Sequence, residues 1–311
     1  MGSKLYKYLA PEILHMAFSK PEVCILKCSY PKDFNDPYEL YLTIDFQQEP
    51  DLLATYKDTI GQIPQLPTTC FSNSPGVIPM WAHYANNHQG VVLEIDEKKL
   101  SEKLPELSFG NVDYLDGPSD DLLDMLIRAS RIGKPRYHYL LQSGVFSAAY
   151  FTKHSSWSYE LERRVIANET LVNKVNGHLF LSFPVECVTA LIVGHNASDE
   201  TKNMALSLAK EISAKYFELK IGRTMPEPYF VDSKNFACIY KLGKITMSEI
   251  ACQKCNEPLL KVAKLCPWCS ITTHHEEYAM RTNPMRMLQH YGLLEDYYKG
   301  MQEIQQKHRK K

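Results

Sequence analysis

Cys252-Gln253-Lys254-Cys255 and Cys266-Pro267-Trp268-Cys269 form two C-x2-C pairs separated by ten residues. Each pair bends the backbone so that two thiolates grip one ion, and two pairs complete a tetrahedral shell. Four thiolates leave no open coordination position. The chemistry expected is therefore a structural zinc whose binding folds a segment too short to hold itself. Four buried free thiols are one competing reading, but they would not need the paired spacing. A thioredoxin-like redox pair is another, but it needs only one C-x-x-C. Lys254, Lys261 and Lys264 surround the ribbon, and the chain ends Lys307-His308-Arg309-Lys310-Lys311. The ribbon and basic tail suggest contact with a nucleic acid or protein target. The alternative is a merely solvated tail.

A second set of reactive types is Trp157-Ser158-Tyr159-Glu160-Leu161-Glu162-Arg163-Arg164-Val165-Ile166. If this segment begins a strand, Glu160 and Glu162 share one face and Leu161 takes the other. Two carboxylates side by side raise each other's pKa unless a cation or ligand intervenes. The plain alternative is a solvated strand face paired with Arg163 or Arg164. A third set runs from Cys70 to Ile95, CFSNSPGVIPMWAHYANNHQGVVLEI. Ser72 closes a strand, a short helix covers Pro79–His88, and Gly90 releases the chain into Val91–Ile95. On that helix Trp81, Tyr84, Ala85 and His88 share a face, and His83 lies beside Asn87 on another. A core helix would normally use Leu, Ile and Val, so this one reads as part of a site, with a core helix as the alternative. Ser29 to Glu39 contains Asn35-Asp36-Pro37, a strong turn signal because Asn and Asp satisfy local backbone groups while Pro fixes φ. The Asn35–Pro37 turn is expected to border the same cleft as Trp81 to His88, since polar-aromatic clusters are costly to bury without partners.

The elements that must position these residues are short. Strand-like runs are Val23–Cys28, Glu39–Ile44, Thr68–Ser72, Val91–Ile95, Arg164–Ala167, Leu179–Phe183, Val188–Val193 and Tyr216–Ile221. Helical spacing marks Asp120–Ile132 through Leu122, Leu123, Leu126, Ile127 and Ile132. Asp199–Lys215 follows an N-cap at Ser198, with Leu206, Ala209 and Ile212 as its buried stripe. Strands and helices mix without strict alternation, which predicts an α+β fold. The domains expected are 1–245, a four-cysteine ribbon at 250–270 and a helical basic tail at 271–311. With 311 residues, 44% apolar content and a net charge of −1, the chain can bury a core and carries no global field toward nucleic acid or membrane. No apolar run approaches the length of a membrane helix, no signal peptide is evident, and the scattered cysteines suit a reducing compartment, so a cytoplasmic protein is expected.

Together, Leu5-Tyr6-Lys7-Tyr8, Phe34 to Glu39, Met80 to Gly90 and Trp157 to Arg164 resemble a largely bacterial family, domain of unknown function 2971. The resemblance covers residues 5 to about 240, with the zinc segment as an addition. The chain departs from the pattern after Glu162, where Arg163-Arg164 replaces an aromatic followed by Arg. More distantly, the order of motifs is similar to ADP-ribosyltransferases. That superfamily places Arg or His on a first strand, a Ser-containing strand before a helix, and a Glu-x-Glu strand. Here Tyr6, Lys7 and Tyr8 stand in the first position, without the Arg or His. The resemblance implies an ADP-ribosyltransferase-like split sheet, with NAD as substrate and a macromolecular target, as for a toxin or antiviral defence effector. Glu162 would stabilise an oxocarbenium-like ribose and Glu160 would handle the acceptor. Tyr84 and Trp81 would stack on the nicotinamide, and Ser72 would hold the ribose. Asn35, Asp36 and His83 would complete the NAD site. Two other readings stay open. One is a non-catalytic binding module whose ribbon contacts nucleic acid or protein. The other is a metal-dependent nuclease using Asp36, Glu39, His83 and the two glutamates.

Overall fold

The computed structural model describes residues 3–36, 43–61, 63–118 and 120–309. The chain divides into two compact units, Met1–Glu249 and Ile250–Lys311.

The first unit opens with β1 (Lys4–Leu9), α1 (Pro11–Ala17), β2 (Val23–Cys28), α2 (Pro50–Gly61) and β3 (Thr68–Ser72). It continues with α3 (Ile78–Tyr84), β4 (Val91–Asp96), α4 (Glu97–Lys103), β5 (Ser108–Asn111) and β6 (Asp113–Leu115). Then come α5 (Asp120–Ile132), α6 (Pro135–Phe151), β7 (Thr152–His154), β8 (Glu162–Ile166), β9 (Val172–Val175) and β10 (His178–Pro184). It closes with β11 (Val188–Val193), α7 (Asp199–Glu211), β12 (Lys215–Lys220), β13 (Tyr229–Asp232), β14 (Ala237–Lys241) and β15 (Lys244–Met247). The mixture is α+β.

Ten strands form one sheet in the order β15-β14-β13-β12-β11-β4-β1-β3-β8-β5. Its central strands are apolar on both faces, because each face has its own core. Leu5, Leu9, Val91, Leu93, Leu191 and Val193 enter one core. Tyr6, Tyr8, Val92, Ala190 and Ile192, the alternate residues of the same strands, enter the other. The β11-α7-β12 unit is parallel, as β-α-β connections require, with Ala190 opposite Lys215. Ser198 caps α7 by accepting from Thr201 N. Helix α7 stops at Glu211 instead of reaching Lys215. Ser213 at φ +57 then turns the chain and Lys215 begins the strand.

A separate helical layer packs Tyr56, Leu122, Leu126, Leu141 and Val145. Helix α6 is the largest element not anticipated from sequence. Its Leu141, Val145 and Ala149 form an i, i+4, i+8 stripe, with Gly144 beside it. A Cβ on Gly144 would meet Leu122 Cδ2 at 2.7 Å, so the glycine allows α5 and α6 to approach closely. Of the expected strand Glu39–Ile44, residues 39–42 lie outside the described residues, and Thr43 and Ile44 form a turn.

The second unit pins its first cysteine pair with a bridge between Ala251 and Pro258. Helices α8 (Thr273–Thr282), α9 (Pro284–His290) and α10 (Leu294–Arg309) complete it. Among the described residues no helix is long and apolar enough to cross a membrane.

Candidate active site and four-cysteine centre

Strands β8, β3 and β1 are neighbours in the sheet, and they carry Glu162, Ser72 and the Tyr6–Tyr8 segment. Ser72 is the cross-strand partner of Glu162 on one side and of Tyr6 on the other. Cross-strand partners share a face. Tyr6, Ser72 and Glu162 therefore stand in one row. Strands β1 and β3 pair only at Tyr6 and Ser72 among the described residues, and then splay. Lys7 reaches across the split, where its ammonium donates to Thr69 Oγ1 at 3.0 Å and to the Cys70 carbonyl at 2.8 Å. That contact gives a partner to a carbonyl that the divergence takes from the ladder. Burial lowers the pKa of this ammonium.

A cavity of about 280 Å³ occupies the split. Tyr6, Lys7, Tyr8, Asn35, Ser72, Tyr84, Glu160 and Glu162 all line it. The volume lies just below the usual range for ligand pockets, about 300–1,000 Å³, and suits one ring with its sugar better than a whole dinucleotide.

The two glutamates do not sit on one strand. Ser155–Glu160 is a 3-10 turn, Leu161 takes φ +48, and only Glu162 begins β8. Their carboxylates still converge, because Lys153 lies between them. Its Nζ donates to Glu160 Oε2 at 2.6 Å and to Glu162 Oε2 at 3.3 Å, and it sits 4.6 Å from the Trp157 ring centre. This is the cation that two adjacent carboxylates need. Arg164, fully buried, clamps Glu162 with Nε at 2.9 Å from Oε1 and Nη2 at 3.3 Å from Oε2. Its Nη1 donates to the Tyr150 carbonyl at 2.8 Å, and its guanidinium lies 5.0 Å over the Phe34 ring. The solvation in the alternative reading is thus overturned for both glutamates, since each is only 4% exposed, while its pairing with Arg164 holds for Glu162. Burial opposes ionisation of Glu162, yet Arg164, with Lys153 adding, holds its carboxyl at about 2. The Tyr84 hydroxyl donates to Glu160 Oε1 at 2.6 Å. Burial and that carboxylate raise its pKa, so Tyr84 remains a neutral donor.

Three residues expected in the site stand elsewhere. Trp81 is fully buried, its indole donating to the Pro75 carbonyl at 2.7 Å, with its ring edge-on to Tyr8 and stacked on His88. It supports the cavity wall through Tyr8 and does not line the space. His83 is exposed, tilted against Tyr159 at 6.4 Å. The helix ends at Tyr84, and Asn86, Asn87 and His88 all have positive φ, so Trp81 and His88 meet through a turn instead of one helical face. Asp36 is buried but does not line the cavity, whereas Phe34 and Asn35 line it together with Met80 and Tyr84. Pro37 and Glu39 lie outside the described residues.

Lys153 is the residue that sequence reasoning missed. It lies seven and nine positions before the glutamates, and the need to neutralise two carboxylates was the signal that could have found it.

In the second unit the four cysteine sulfurs lie within 4.8 Å of one another. Cys255 and Cys266 Sγ are 3.8 Å apart. That is the edge of a tetrahedron with metal–sulfur bonds of about 2.3 Å. Cys266 N donates to Cys252 Sγ and Cys269 N to Cys266 Sγ, both at 3.3 Å, as backbone amides do around a bound thiolate. The cluster can hold a zinc ion.

Residues 80–165 match the model of a protein family of unknown function, DUF2971. The matched stretch includes Met80 to Tyr84 of α3, Lys153, Glu160, Glu162 and Arg164, while the Leu5–Tyr8 and Phe34–Glu39 motifs precede it. No curated protein and no solved structure matches the chain.

Proposed function

We propose that the first unit is an ADP-ribosyltransferase-like enzyme that takes NAD and modifies a nucleic acid or protein. The observation that carries this reading is the row Tyr6–Ser72–Glu162 beside the cavity where β1 and β3 part. The nicotinamide ribose enters that cavity and the adenylate end stays outside it. The glycosidic bond breaks, nicotinamide leaves with the bonding electrons, and positive charge develops at the ribose C1′. A carboxylate nearby then acts more strongly on the transition state than on the ground state. Glu162 is that group, and Glu160, held by Tyr84, takes the acceptor's proton as it attacks C1′.

One observation favours a second reading, a binding module without chemistry. Glu162 shares its charge with Arg164 and Lys153, so the cluster of two glutamates and two cations is formally neutral. The nuclease reading needs His83 beside the glutamates, and His83 is exposed outside the cavity lining.

Ser72 is fully buried at the cavity wall. Calorimetric titration of the wild-type protein with NAD is expected to give one site per chain, and Ser72→Phe, which fills the space, should remove it. Undiminished binding in a folded Ser72→Phe protein would move the ligand elsewhere.

The zinc in the second unit is structural. Elemental analysis of protein never exposed to chelator should find about one equivalent, following the four-thiolate count. Cys266→Ser should unfold residues 250–270 and leave the first unit's melting unchanged. A metal content below about 0.2 equivalents would contradict a closed site.

The acid limb of stability is also set by the Glu162 cluster. The folded pKa of Glu162 lies below its ordinary value of 4.5, so its contribution is complete above that pH and is lost as pH falls toward about 2. The urea midpoint of wild type should therefore fall more steeply below pH 4.5 than that of Glu162→Gln. Parallel curves would show that the carboxylate does not titrate on unfolding.

A further inference from the structure

Helix α10 carries Leu294, Tyr297, Met301, Ile304 and His308 at alternating steps of three and four, the spacing of a coiled-coil seam. Tyr297 is 44% exposed, Met301 38% and Ile304 49%. Neither α8 nor α9 has a buried residue, and Tyr278, Met287 and Tyr291 add to the exposed apolar area of the same unit. A helix of 16 residues is marginal in water without a packed face.

Two further features say what covers this seam. The first is charge. Glu295 and Asp296 occupy the first turn, whereas Lys307, His308, Arg309, Lys310 and Lys311 close the chain. An antiparallel copy, crossing near Met301, sets the acidic end of each helix against the basic end of the other. It also opposes the two helix dipoles. The second is Gly300, in the helix interior and beside Met301. A glycine there costs about 1 kcal/mol relative to alanine. A Cβ on Gly300 would meet nothing within 4 Å, so nothing in the chain requires the glycine. A second helix approaching closely beside Met301 would.

We propose that α10 pairs antiparallel with α10 of a second copy of this chain, through Tyr297, Met301 and Ile304, making the protein a two-fold dimer. From Leu294 to His308 the seam is about 21 Å long at 1.5 Å per residue. The two-fold sets Met301 against Ile304 of the second copy and Tyr297 against its His308. The catalytic proposal is independent of this one.

Light scattering on the full-length, zinc-loaded protein tests it. Wild type is expected to elute at twice the chain mass. Met301→Glu/Ile304→Glu should elute as a monomer with an unchanged zinc content and an unchanged first-unit melting. Glu295→Lys/Asp296→Lys should weaken the dimer at least tenfold, and adding Lys307→Glu/Arg309→Glu to the same chain should restore it. Only an antiparallel pair brings those positions together. Gly300→Leu should weaken the dimer although it favours the helix. A wild-type monomer at every concentration, as for a face kept for a protein or nucleic-acid target, would overturn the proposal. So would a dimer untouched by Met301→Glu/Ile304→Glu, or a charge swap that fails to restore association.

Discussion

Arg164→Met is expected to lower the stability of the first unit by about 3–5 kcal/mol, the usual cost of leaving a buried charge without its partner. The guanidinium is fully buried and supplies two of the contacts to Glu162, as well as the bond to the Tyr150 carbonyl. Lys153 does not replace it, since that ammonium is already shared with Glu160. For a unit of this size the loss corresponds to a melting shift of roughly 10 °C, at about 2–4 °C per kcal/mol. Replacing both members, Glu162→Leu with Arg164→Met, should recover part of the loss, because a matched apolar pair has no charge to desolvate. Scanning calorimetry of the three variants checks this. If Arg164→Met melts with wild type, the pair is not what holds the strand β8 entry together.

Glu162→Gln is expected to slow NAD turnover on the order of a hundredfold or more, the typical loss when a preorganised electrostatic group is removed from a developing charge. The amide keeps the shape and still accepts from Arg164, but it carries no charge to oppose a cationic ribose. The substitution is not thermally silent, as it would be on a solvated strand. Glu162 is buried and clamped, so a loss of about 1–3 kcal/mol is expected from the weakened hydrogen bonds. Activity is therefore compared at a temperature where both proteins are folded. Glu160→Gln should be milder under the proposed division of roles, in which Glu160 handles the acceptor. Equal activity in wild type and Glu162→Gln would leave the binding-module reading.

Much of this site was legible because local signals and global fold agree there. Thr68–Ser72 and Val188–Val193 are β-branched runs bounded by turn residues, and the strands have those limits. The cysteine spacing specified its own geometry, since C-x2-C dictates which sulfurs meet. The features that escaped depend on partners distant in sequence. Lys4–Leu9 alternates apolar residues with lysines too closely to announce a strand buried on both faces, yet each face has its own core. Trp81 reads as a ligand-stacking residue because aromatics near histidines suggest a site. Its indole instead satisfies the Pro75 carbonyl inside a core. The Glu160-Leu161-Glu162 segment looks like regular strand, and the left-handed Leu161 breaks it. No pattern in one segment reveals that Lys153 will neutralise Glu160 and Glu162 together.

The cavity between β1 and β3 is expected to cleave NAD. Full-length protein incubated with NAD, with protein and nucleic-acid acceptors supplied, should release free nicotinamide in step with enzyme concentration, and Glu162→Gln should release about a hundredfold less. No nicotinamide above the buffer blank from folded, zinc-loaded wild-type protein would contradict it.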